Sequence, residues 1–363
     1  MKRIETERLI LRGFAAEDLM DFYEYAHSPG VGPRAGWKPH ESIEESKKIL
    51  GIFIREDNVF ALELKATGKV IGSVGIHEDN IRAGAADCKL IGYVLSEQEW
   101  GKGLMPEAVN AVLSYLFDDM KCRLVSVQHY TSNLQSRRVI EKCGFTSEGT
   151  LAQGCKHFNG TFPDGCTYSM TRREYFIKKA ENSRLKLRLP EELSKESYME
   201  YYTEWQKEGG GFVPSPCSIK DKSYDEWLKA DVLYRTAPRE GFVPCTSYFL
   251  ADDSGYIYGM VSIRHRLNEK LMLSGGHIGY GIRPTVRKKG YGKLILALAL
   301  NKIAEMGYKK ALVTCDKVNI GSASIIETNG GMLENVVLDD GEEINRYWIN
   351  TAERSNAVML SHV

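Results

Sequence analysis

The stretch Gln98-Glu99-Trp100-Gly101-Lys102-Gly103 decides the fold, and Arg287-Lys288-Lys289-Gly290-Tyr291-Gly292 is its counterpart later in the chain. Each copy has the pattern [Gln/Arg]-x-x-Gly-x-Gly and lies between a predicted strand and a predicted helix. Glycine allows backbone conformations that a side chain forbids and lets the backbone approach a ligand closely. The free amides of the following first helical turn form a site suited to a pyrophosphate. The alternative is a turn that serves only tight strand–helix packing.

The two turns belong to an internal repeat at the scale of a domain. The chain has 363 residues, which corresponds to about two domains, and Gly101 and Gly290 are separated by about half of that length. About 30 residues after each turn, Asn133 and Asn319 occupy positions where an asparagine would cap a helix.

The predicted elements follow the same order in both halves. In the first half we expect strands at 9–12, 59–64, 70–76, 90–95 and 124–128, and helices at 15–27, at 41–55 and after residues 103 and 133. In the second half we expect strands at 185–189, 248–251, 257–263, 277–282 and 311–314, and helices at 191–208, at 221–235 and after residues 292 and 319. Apolar periodicity lapses over residues 175–183, so we predict two domains, 1–178 and 182–363.

Charge is balanced over the whole chain and within each half. The chain contains 48 basic and 48 acidic residues, and residues 1–180 hold 24 of each. Nucleic-acid-binding domains normally need a basic patch, so we expect no nucleic-acid partner. We also expect no membrane segment or signal peptide, because no apolar run approaches 18 residues and the N-terminus is charged. Scattered cysteines without a Cys-x-x-Cys pair favour reduced thiols in a cytoplasmic protein and no metal site.

Two nucleotide-binding alternatives do not fit the glycine turns. A dinucleotide fingerprint, Gly-x-Gly-x-x-Gly, follows the first strand of its unit, whereas these turns follow the fourth predicted strand of each half. A P-loop needs Gly-x-x-x-x-Gly-Lys-Ser/Thr, which does not occur in the sequence.

The residues around the turns resemble the GNAT superfamily of acetyl-CoA-dependent N-acetyltransferases, and the resemblance covers nearly the whole chain as two tandem domains. In the first half, the segment 91–95, the turn and Asn133-x-x-Ser136 are similar to the ribosomal-protein N-acetyltransferase branch. The second half, with residues 276–284 and its own turn, resembles a different branch of predicted acetyltransferases. The resemblance implies an α/β (α+β) fold: two domains, each with a mixed, mostly antiparallel central sheet flanked by helices and splayed near the coenzyme.

The resemblance also implies a set of coenzyme-binding residues, with amides around the glycines holding a pyrophosphate and strand backbone pairing with the pantetheine arm. In the first half these are Val94, Leu95, Gln98, Gly101, Lys102, Gly103, Leu104 and Asn133. In the second half they are Gly281, Ile282, Arg287, Lys288, Lys289, Gly290, Tyr291, Gly292, Lys293 and Asn319. The basic triplet 287–289 predicts stronger electrostatic capture in the second half, unless it is only a solvated loop.

Candidate bases are few. Many GNAT domains have a glutamate two residues before the glycine of the Gly-Tyr pair, where this chain has Leu90 and His277. Leucine cannot accept a proton, whereas histidine can do so near neutral pH, so we expect His277 to be the base of the second half. The alternative is a hydrogen-bonded core histidine. In the first half Asp87, His77 or Glu78 could act instead, directly or through water.

The residues that could act as the acid, and those that could line the acceptor pocket, also have two possible roles each. Where many GNAT domains have a tyrosine, this chain has Ile140 and Ile326, which lack a hydroxyl group. Ser136 and Ser322 match a serine of the ribosomal branch that can hydrogen-bond the coenzyme sulfur, or they only satisfy local amides. The aromatic residues that could line an acceptor pocket, or belong to the core, are Trp37, Tyr93, Trp100 and Trp348, and the candidate specificity loops are 34–40 and 212–217.

The sequence therefore predicts an N-acetyltransferase that moves an acetyl group from acetyl-CoA to a primary amine by direct attack, with the second half better equipped. The alternative is an acyl-CoA-binding module in which one or both halves are catalytically inactive. The acceptor, either a small molecule or a protein amino terminus, and the oligomeric state stay open.

Overall fold

The computed structural model describes residues 1–82, 84–209, 211–220 and 222–351. The chain divides into two compact units between Arg172 and Arg173, a few residues before the predicted boundary segment. None of the helices in the described part of the chain is long and apolar enough to cross a membrane.

The first unit contains one eight-stranded sheet in the order β1-β2-β3-β4-β5-β6-β8-β7. Its strands are β1 Ile4–Glu5, β2 Leu9–Gly13, β3 Val59–Leu64, β4 Val70–Glu78, β5 Cys88–Leu95, β6 Leu124–Tyr130, β7 Thr146–Leu151 and β8 Gly165–Thr171. Its helices are α1 Leu19–Ala26, α2 Gly32–Ala35, α3 Ile43–Glu56, α4 Leu104–Ser114 and α5 Leu134–Cys143. Helices α1 and α3 pack on the sheet through an aromatic and aliphatic cluster that includes Phe14, Phe22 and Leu50.

Strands β5 and β6 form the parallel pair of this otherwise antiparallel sheet. Their register runs from Cys88 opposite Leu124 to Ile91 opposite Val127. Beyond these residues the two strands continue without pairing, so their ends diverge. The divergence leaves a cleft in the sheet between Gly92–Leu95 and Gln128–Tyr130.

The second unit is built from two smaller antiparallel sheets, with the strand orders β12-β11-β10-β9 and β13-β15-β14. Its strands are β9 Lys186–Arg188, β10 Cys245–Ala251, β11 Ile257–Arg264, β12 Ile278–Ile282, β13 Lys310–Asp316, β14 Met332–Asp339 and β15 Glu342–Asn350. Helix α6, Arg172–Asn182, crosses the division between the units, and the remaining helices are α7 Lys195–Glu208, α8 Tyr224–Tyr234, α9 Tyr291–Glu305 and α10 Ile320–Thr328. An aromatic core that includes Tyr198, Trp227 and Phe249 joins α7 and α8 to β10.

A histidine side chain links the two sheets of the second unit. The backbone N–H of His277 donates to Leu312 O at 2.7 Å. The backbone N–H of Leu312 donates in return to His277 Nδ1 at 3.0 Å. A side-chain nitrogen therefore takes the place of a backbone acceptor between the end of β12 and β13.

The predicted α/β fold class with flanking helices is confirmed: the sheet of the first unit is mixed and mostly antiparallel. The second unit departs in detail, because its strands form two wholly antiparallel sheets instead of one mixed sheet. The segment in which we placed the domain boundary is helical up to residue 182, because α6 runs through it and buries Tyr175, Phe176 and Ala180. Strands β7, β8, β14 and β15 were not predicted, and most residues of β7 and β14 are exposed, so these strands lack the apolar alternation that marks a half-buried strand.

A buried carboxylate joins the end of β4 to β6. Asp79 accepts hydrogen bonds from Ser126 Oγ at 2.9 Å, from Arg82 Nη1 at 2.8 Å and from the Ile81 N–H at 3.0 Å. Burial alone would raise the pKa of Asp79, but Arg82 and Ser126 outweigh it and hold the pKa below its usual value. The ionised carboxylate therefore stabilises the folded state.

We predict that Asp79→Asn lowers the free energy of unfolding at pH 7 by roughly 1–3 kcal/mol, because it leaves charge-assisted donors without their acceptor. A lowered folded-state pKa contributes stability above the unfolded value, and this contribution is lost as the pH falls through the folded-state pKa. The difference between the two proteins in urea unfolding should therefore shrink below roughly pH 4. Asp87→Asn, which removes only a surface pair with Arg123, should cost at most about 1 kcal/mol. Equal losses for both variants would contradict this assignment.

Candidate active site

A cavity of about 620 Å³ occupies the cleft between the diverging ends of β5 and β6 in the first unit. One wall is β5 from Gly92 to Leu95, and the opposite wall is β6 from Val127 to Tyr130. The rest of the lining comes from four places in the chain: the glycine turn with the start of α4, helix α5 with its cap, the α2 region and the loop before β8. In that order, the residues are Glu99, Trp100, Gly101, Gly103, Leu104, Met105 and Pro106; Asn133, Gln135, Ser136, Arg138, Val139 and Lys142; Val31, Arg34 and Ala35; and Gly154, Cys155 and Lys156.

The glycine turn forms one end of this cavity. Gly101 and Gly103 have φ values of 77° and 78°, and Gly103 caps α4 without a side chain. In the described part of the chain, no acceptor is bonded to the backbone N–H groups of residues 101–104. Consecutive free amides ahead of a helix of 11 residues form an anion-binding turn.

Positive charge reaches the cavity from α5 rather than from the turn. Arg138 and Lys142 both line the cavity and lie four residues apart, on one face of the helix. Gln98 and Lys102 do not line it, and Lys102 pairs with Glu99 at 3.0 Å. Sequence reasoning looked for cations only inside the turn, whereas the spacing of Arg138 and Lys142 could have indicated this face.

Asn133 and Ser136 place a hydroxyl pair beside the cavity. Asn133 Oδ1 accepts from the Ser136 N–H at 3.1 Å, as the predicted helix cap requires. Ser136 Oγ lies 2.9 Å from Tyr93 OH, and burial raises the pKa of Tyr93. Tyr93, which sequence analysis assigned only to a pocket wall or the core, therefore belongs to a Tyr–Ser hydrogen bond.

Two side chains make hydrogen bonds to the backbone around the cavity: Trp100 to β5, and Asn133 to α2. Leu95 O accepts from Trp100 Nε1 at 2.8 Å, so this carbonyl already has one partner, while Val94 packs against the α1–α3 side. Asn133 Nδ2 donates to Arg34 O at 3.1 Å, which joins the start of α5 to α2. Within the predicted specificity loop, Arg34 and Ala35 reach the cavity.

His77 lies on the sheet near Gly92, which lines the cavity, but is not itself a lining residue. It pairs with Leu90 in the register of β4 and β5, and Gly75 pairs with Gly92. A Cβ added at Gly75 would lie 2.5 Å from His77 Nε2, so the ring folds over Gly75, whereas a Cβ at Gly92 would meet open space. Among the described residues, no hydrogen bond holds the His77 ring. Partial burial lowers the pKa of His77, which keeps the ring neutral near pH 7.

The two carboxylates considered with His77 are engaged elsewhere. Asp87 pairs with Arg123 at 3.0 Å, and Glu78 pairs with Lys89 at 2.5 Å. Both pairs occupy the exposed edge beyond the cavity lining. Among Asp87, Glu78 and His77, therefore, His77 is the side chain near Gly92 that has a ring nitrogen able to accept a proton.

The second glycine turn differs from the first in where its helix begins. Gly290, with φ 91°, caps α9, so Gly292 lies inside the helix and packs against Ile325. The Lys293 N–H donates to Gly290 O at 3.0 Å and is not free for a ligand, contrary to the expectation from sequence. The amides of Gly290 and Tyr291 stay at the helix start.

The basic triplet of the second half offers less charge than its sequence suggests. Arg287 pairs with Glu208 at 2.5 Å, stacks over Trp205 at 4.9 Å and donates from Nε to Ile282 O at 3.1 Å. The exposed residues 288 and 289 follow it. The charge of the Arg287 guanidinium is therefore already compensated by Glu208.

The Tyr–Ser arrangement recurs in the second half. Tyr280 OH lies 2.9 Å from Ser322 Oγ, and Asn319 Oδ1 accepts from the Ser322 N–H at 3.0 Å. These distances match those of the first half. The structure therefore brings Ser136 and Ser322 into equivalent positions.

His277 does not have the geometry of a base. Its Nδ1 accepts from Leu312, so the neutral ring carries its proton on Nε2 and has no free lone pair. The residue is buried, its ring contacts Tyr308, and burial lowers its pKa. This arrangement matches the alternative of a hydrogen-bonded core histidine.

In the second half, a loop covers β12 at Gly281. A Cβ added at Gly281 would overlap the carbonyl oxygen of Val213 and lie 3.2 Å from the Trp205 ring. Val213 belongs to the predicted specificity loop 212–217. In the first half the equivalent residue is Val94, which borders the cavity.

One family model, described as an acetyltransferase (GNAT) domain, matches the chain twice, over residues 8–146 and 184–332. The uncharacterized N-acetyltransferase p20 of Bacillus licheniformis is 27% identical over 180 residues, which are 48% of this chain and 99% of that protein. The uncharacterized N-acetyltransferase YoaA of Bacillus subtilis (strain 168) is 28% identical over 174 residues, 47% of this chain and 96% of that protein. A crystal structure of a GNAT-family acetyltransferase from Bacillus anthracis covers 48% of this chain and all of its own, with 24% identity and a TM-score of 0.44. The two matches of the family model confirm that both halves are GNAT domains.

Proposed function

The chain belongs to the GNAT acetyltransferase family and is an acyltransferase, and on that premise we propose that its first half transfers an acetyl group from acetyl-CoA to a primary amine by direct attack. The observation that carries this proposal is the cavity that connects the free amides at Gly101 and Gly103 to the open position at Gly92. The second half, which the sequence favoured, has a covered strand position at Gly281 and a histidine without a free lone pair.

The residues present fit the coenzyme along the length of the cavity. The amides of residues 101–104 would hold the pyrophosphate, and Arg138 and Lys142 would add charge for the phosphates. The cleft between β5 and β6 would take the pantetheine arm as an added strand, paired through backbone groups of Val94 and Leu95 that face the cleft, while the Leu95 carbonyl keeps its bond from Trp100. The coenzyme supplies an activated acetyl group as a thioester.

The amine would approach along the face that holds Gly92 and His77. His77 would accept a proton from the attacking nitrogen, directly or through water, while the carbon–nitrogen bond forms and the carbon–sulfur bond breaks. Backbone N–H groups of β5 would polarise the thioester carbonyl. Ser136, hydrogen-bonded to Tyr93, would donate a hydrogen bond that stabilises the departing thiolate, and the proton taken from the amine would stay on His77 or pass to water.

A second function, coenzyme binding without transfer, is favoured for the second half. The specific observation is the loop that covers Gly281. Tyr280 and Ser322 keep their hydrogen bond there, so this half retains the hydroxyl pair while its acceptor side is closed.

We predict that Arg138→Ala weakens acetyl-CoA binding roughly 3–10-fold and makes it less dependent on salt, because a cation that faces the phosphates is lost. Isothermal titration calorimetry of the full chain at two salt concentrations, fitted with up to two sites, measures the effect. Arg137→Ala is the matched control, since Arg137 pairs with Glu141 and does not line the cavity. Equal weakening by both variants, or no binding by the unmodified chain, would contradict the coenzyme site.

We predict that Tyr93→Phe and Ser136→Ala each lower kcat by roughly 10–100-fold, because the departing thiolate loses its hydrogen-bond donor or the hydroxyl that orients that donor. The acetyl-CoA Kd should change less than twofold. The assay follows thiol release from acetyl-CoA with the best amine from an acceptor screen. Tyr280→Phe removes the equivalent hydroxyl in the second half and should leave kcat unchanged. A loss of activity in Tyr280→Phe alone would move the reaction to the second half.

We predict that kcat/KM rises with pH through the pKa of His77, below the usual value of about 6.5, because only the neutral imidazole accepts a proton. His77→Gln should lower kcat/KM by roughly 10–100-fold and abolish this acidic limb. His27→Gln, on a ring bonded to His40 O, should leave the profile intact. An unchanged acidic limb in His77→Gln would refute the assignment.

A further inference from the structure

The guanidinium of Arg264 lies on one face of the β12-β11-β10-β9 sheet of the second unit. Arg264, the last residue of β11, folds its guanidinium over Gly279 of β12. A Cβ added at Gly279 would lie 3.0 Å from Nη1 and 3.1 Å from Nη2 of this arginine. Nη1 donates to Gly275 O at 3.2 Å.

Arg264 differs from the other largely buried arginines of its unit. Arg283 pairs with Glu200 and Glu204 at 2.6 Å each, and Arg235 pairs with Glu191 at 2.6 Å. Across the described ranges, no carboxylate pairs with Arg264, and its Nε and Nη2 make no hydrogen bond. Arg264 is half-buried, and its Nε and Nη2 are not among the fully buried side-chain atoms, so this unpaired guanidinium edge is accessible to an anion.

The side chains around Arg264 do not neutralise it. Cys245 pairs with Arg264 in the register of β10 and β11, and Cys217 lies nearby. Burial raises the pKa of both thiols, so both are neutral near pH 7. Burial also lowers the pKa of Arg264 itself, but a guanidinium keeps its charge in a protein.

Unpaired hydroxyl groups continue the polar row on this face. Ser247 pairs with Ser262, and Ser262 with Gly279, so the three residues lie side by side across the strands. Ser247 Oγ and Ser262 Oγ are both buried, and neither has a partner at hydrogen-bond geometry in the described residues. Their neighbours are the two thiols, which are weak partners, and, beside Ser247, the buried Asp231 carboxylate, which pairs with Arg235. The face thus combines a free cation with unsatisfied donors.

The first unit has a different residue at the equivalent place. There, Gly75 pairs with Gly92, and His77 lies two residues further along β4. In the second unit, Ser262 pairs with Gly279, and Arg264 lies two residues further along β11. One position therefore carries a neutral imidazole in one unit and a permanent cation in the other, which indicates that the two units take ligands of different charge.

We propose that the second unit binds the carboxylate group of a small organic ligand on the Nε–Nη2 edge of Arg264. This edge offers two parallel N–H donors, the geometry that suits a carboxylate. Gly281, two residues along the same face from Gly279, is covered by the Val213 carbonyl and the Trp205 ring, so the ligand would be a small one, and Trp205 is the apolar surface nearest to its carboxylate. An organic acid and an amino acid share this chemistry. The inference concerns binding and does not depend on acetyl transfer.

The test uses the full chain and follows the Arg264 Nε–Hε signal by ¹⁵N nuclear magnetic resonance, with the signal assigned by its loss in Arg264→Lys. Three probes of the same size are titrated at constant ionic strength: isovalerate, leucine and leucinamide. We expect a saturable shift with leucine and none with leucinamide. A shift with isovalerate as well identifies an organic acid as sufficient, and its absence identifies an amino acid.

A matched pair of variants gives a second readout. Arg264→Met should weaken leucine binding at least tenfold, measured by saturation-transfer titration, while Arg266→Met, at an exposed position two residues on, should change it less than twofold. Arg264→Lys keeps the charge and should bind with intermediate affinity. The proposal is overturned if neither leucine nor isovalerate shifts the Arg264 signal, if leucinamide shifts it equally, or if the Arg264→Met chain binds leucine as the unmodified chain does.

Discussion

The short parallel pairing of β5 and β6 is the constraint on which the first unit's site depends. The two strands share four register positions, ending at Ile91 and Val127, and then separate. Backbone groups at such a gap need other partners, because buried amides and carbonyls are rarely left unpaired. The cavity, the glycine turn and the hydroxyl pair all lie along this gap. A ligand that enters as an additional strand would complete the sheet there.

In the second unit, a histidine side chain takes part in the strand contact that precedes the equivalent position. His277 occupies the position that is Leu90 in the first unit, and its Nδ1 accepts the hydrogen bond that a backbone carbonyl would otherwise take. The loop at Val213 then covers the neighbouring strand position. The two units thus share the Tyr–Ser bond but differ in what fills the space beside it. This difference supports assigning transfer to the first unit and ligand binding to the second.

Features that depend on neighbouring residues could be predicted from the sequence, whereas contacts between residues far apart in the chain could not. Helix caps depend on a few neighbouring residues, so Asn133 and Asn319 could be assigned from the sequence. The charge at Arg138 could not be assigned to the cavity without the packing of α5, and the ion pair of Arg287 depends on Glu208, 79 residues away. His277 was misjudged because the partner that occupies its Nδ1 comes from β13. A residue's type was visible in the sequence, but its hydrogen-bond partner was not.

A single amide side chain, that of Asn133, joins two helices that line the first unit's cavity. Its oxygen accepts from the start of α5, and its nitrogen donates to Arg34 of α2. A ligand that orders α5 would therefore also order α2. If acetyl transfer occurs as proposed, this coupling favours a sequential mechanism of compulsory order, in which the donor binds first and product release reverses that order.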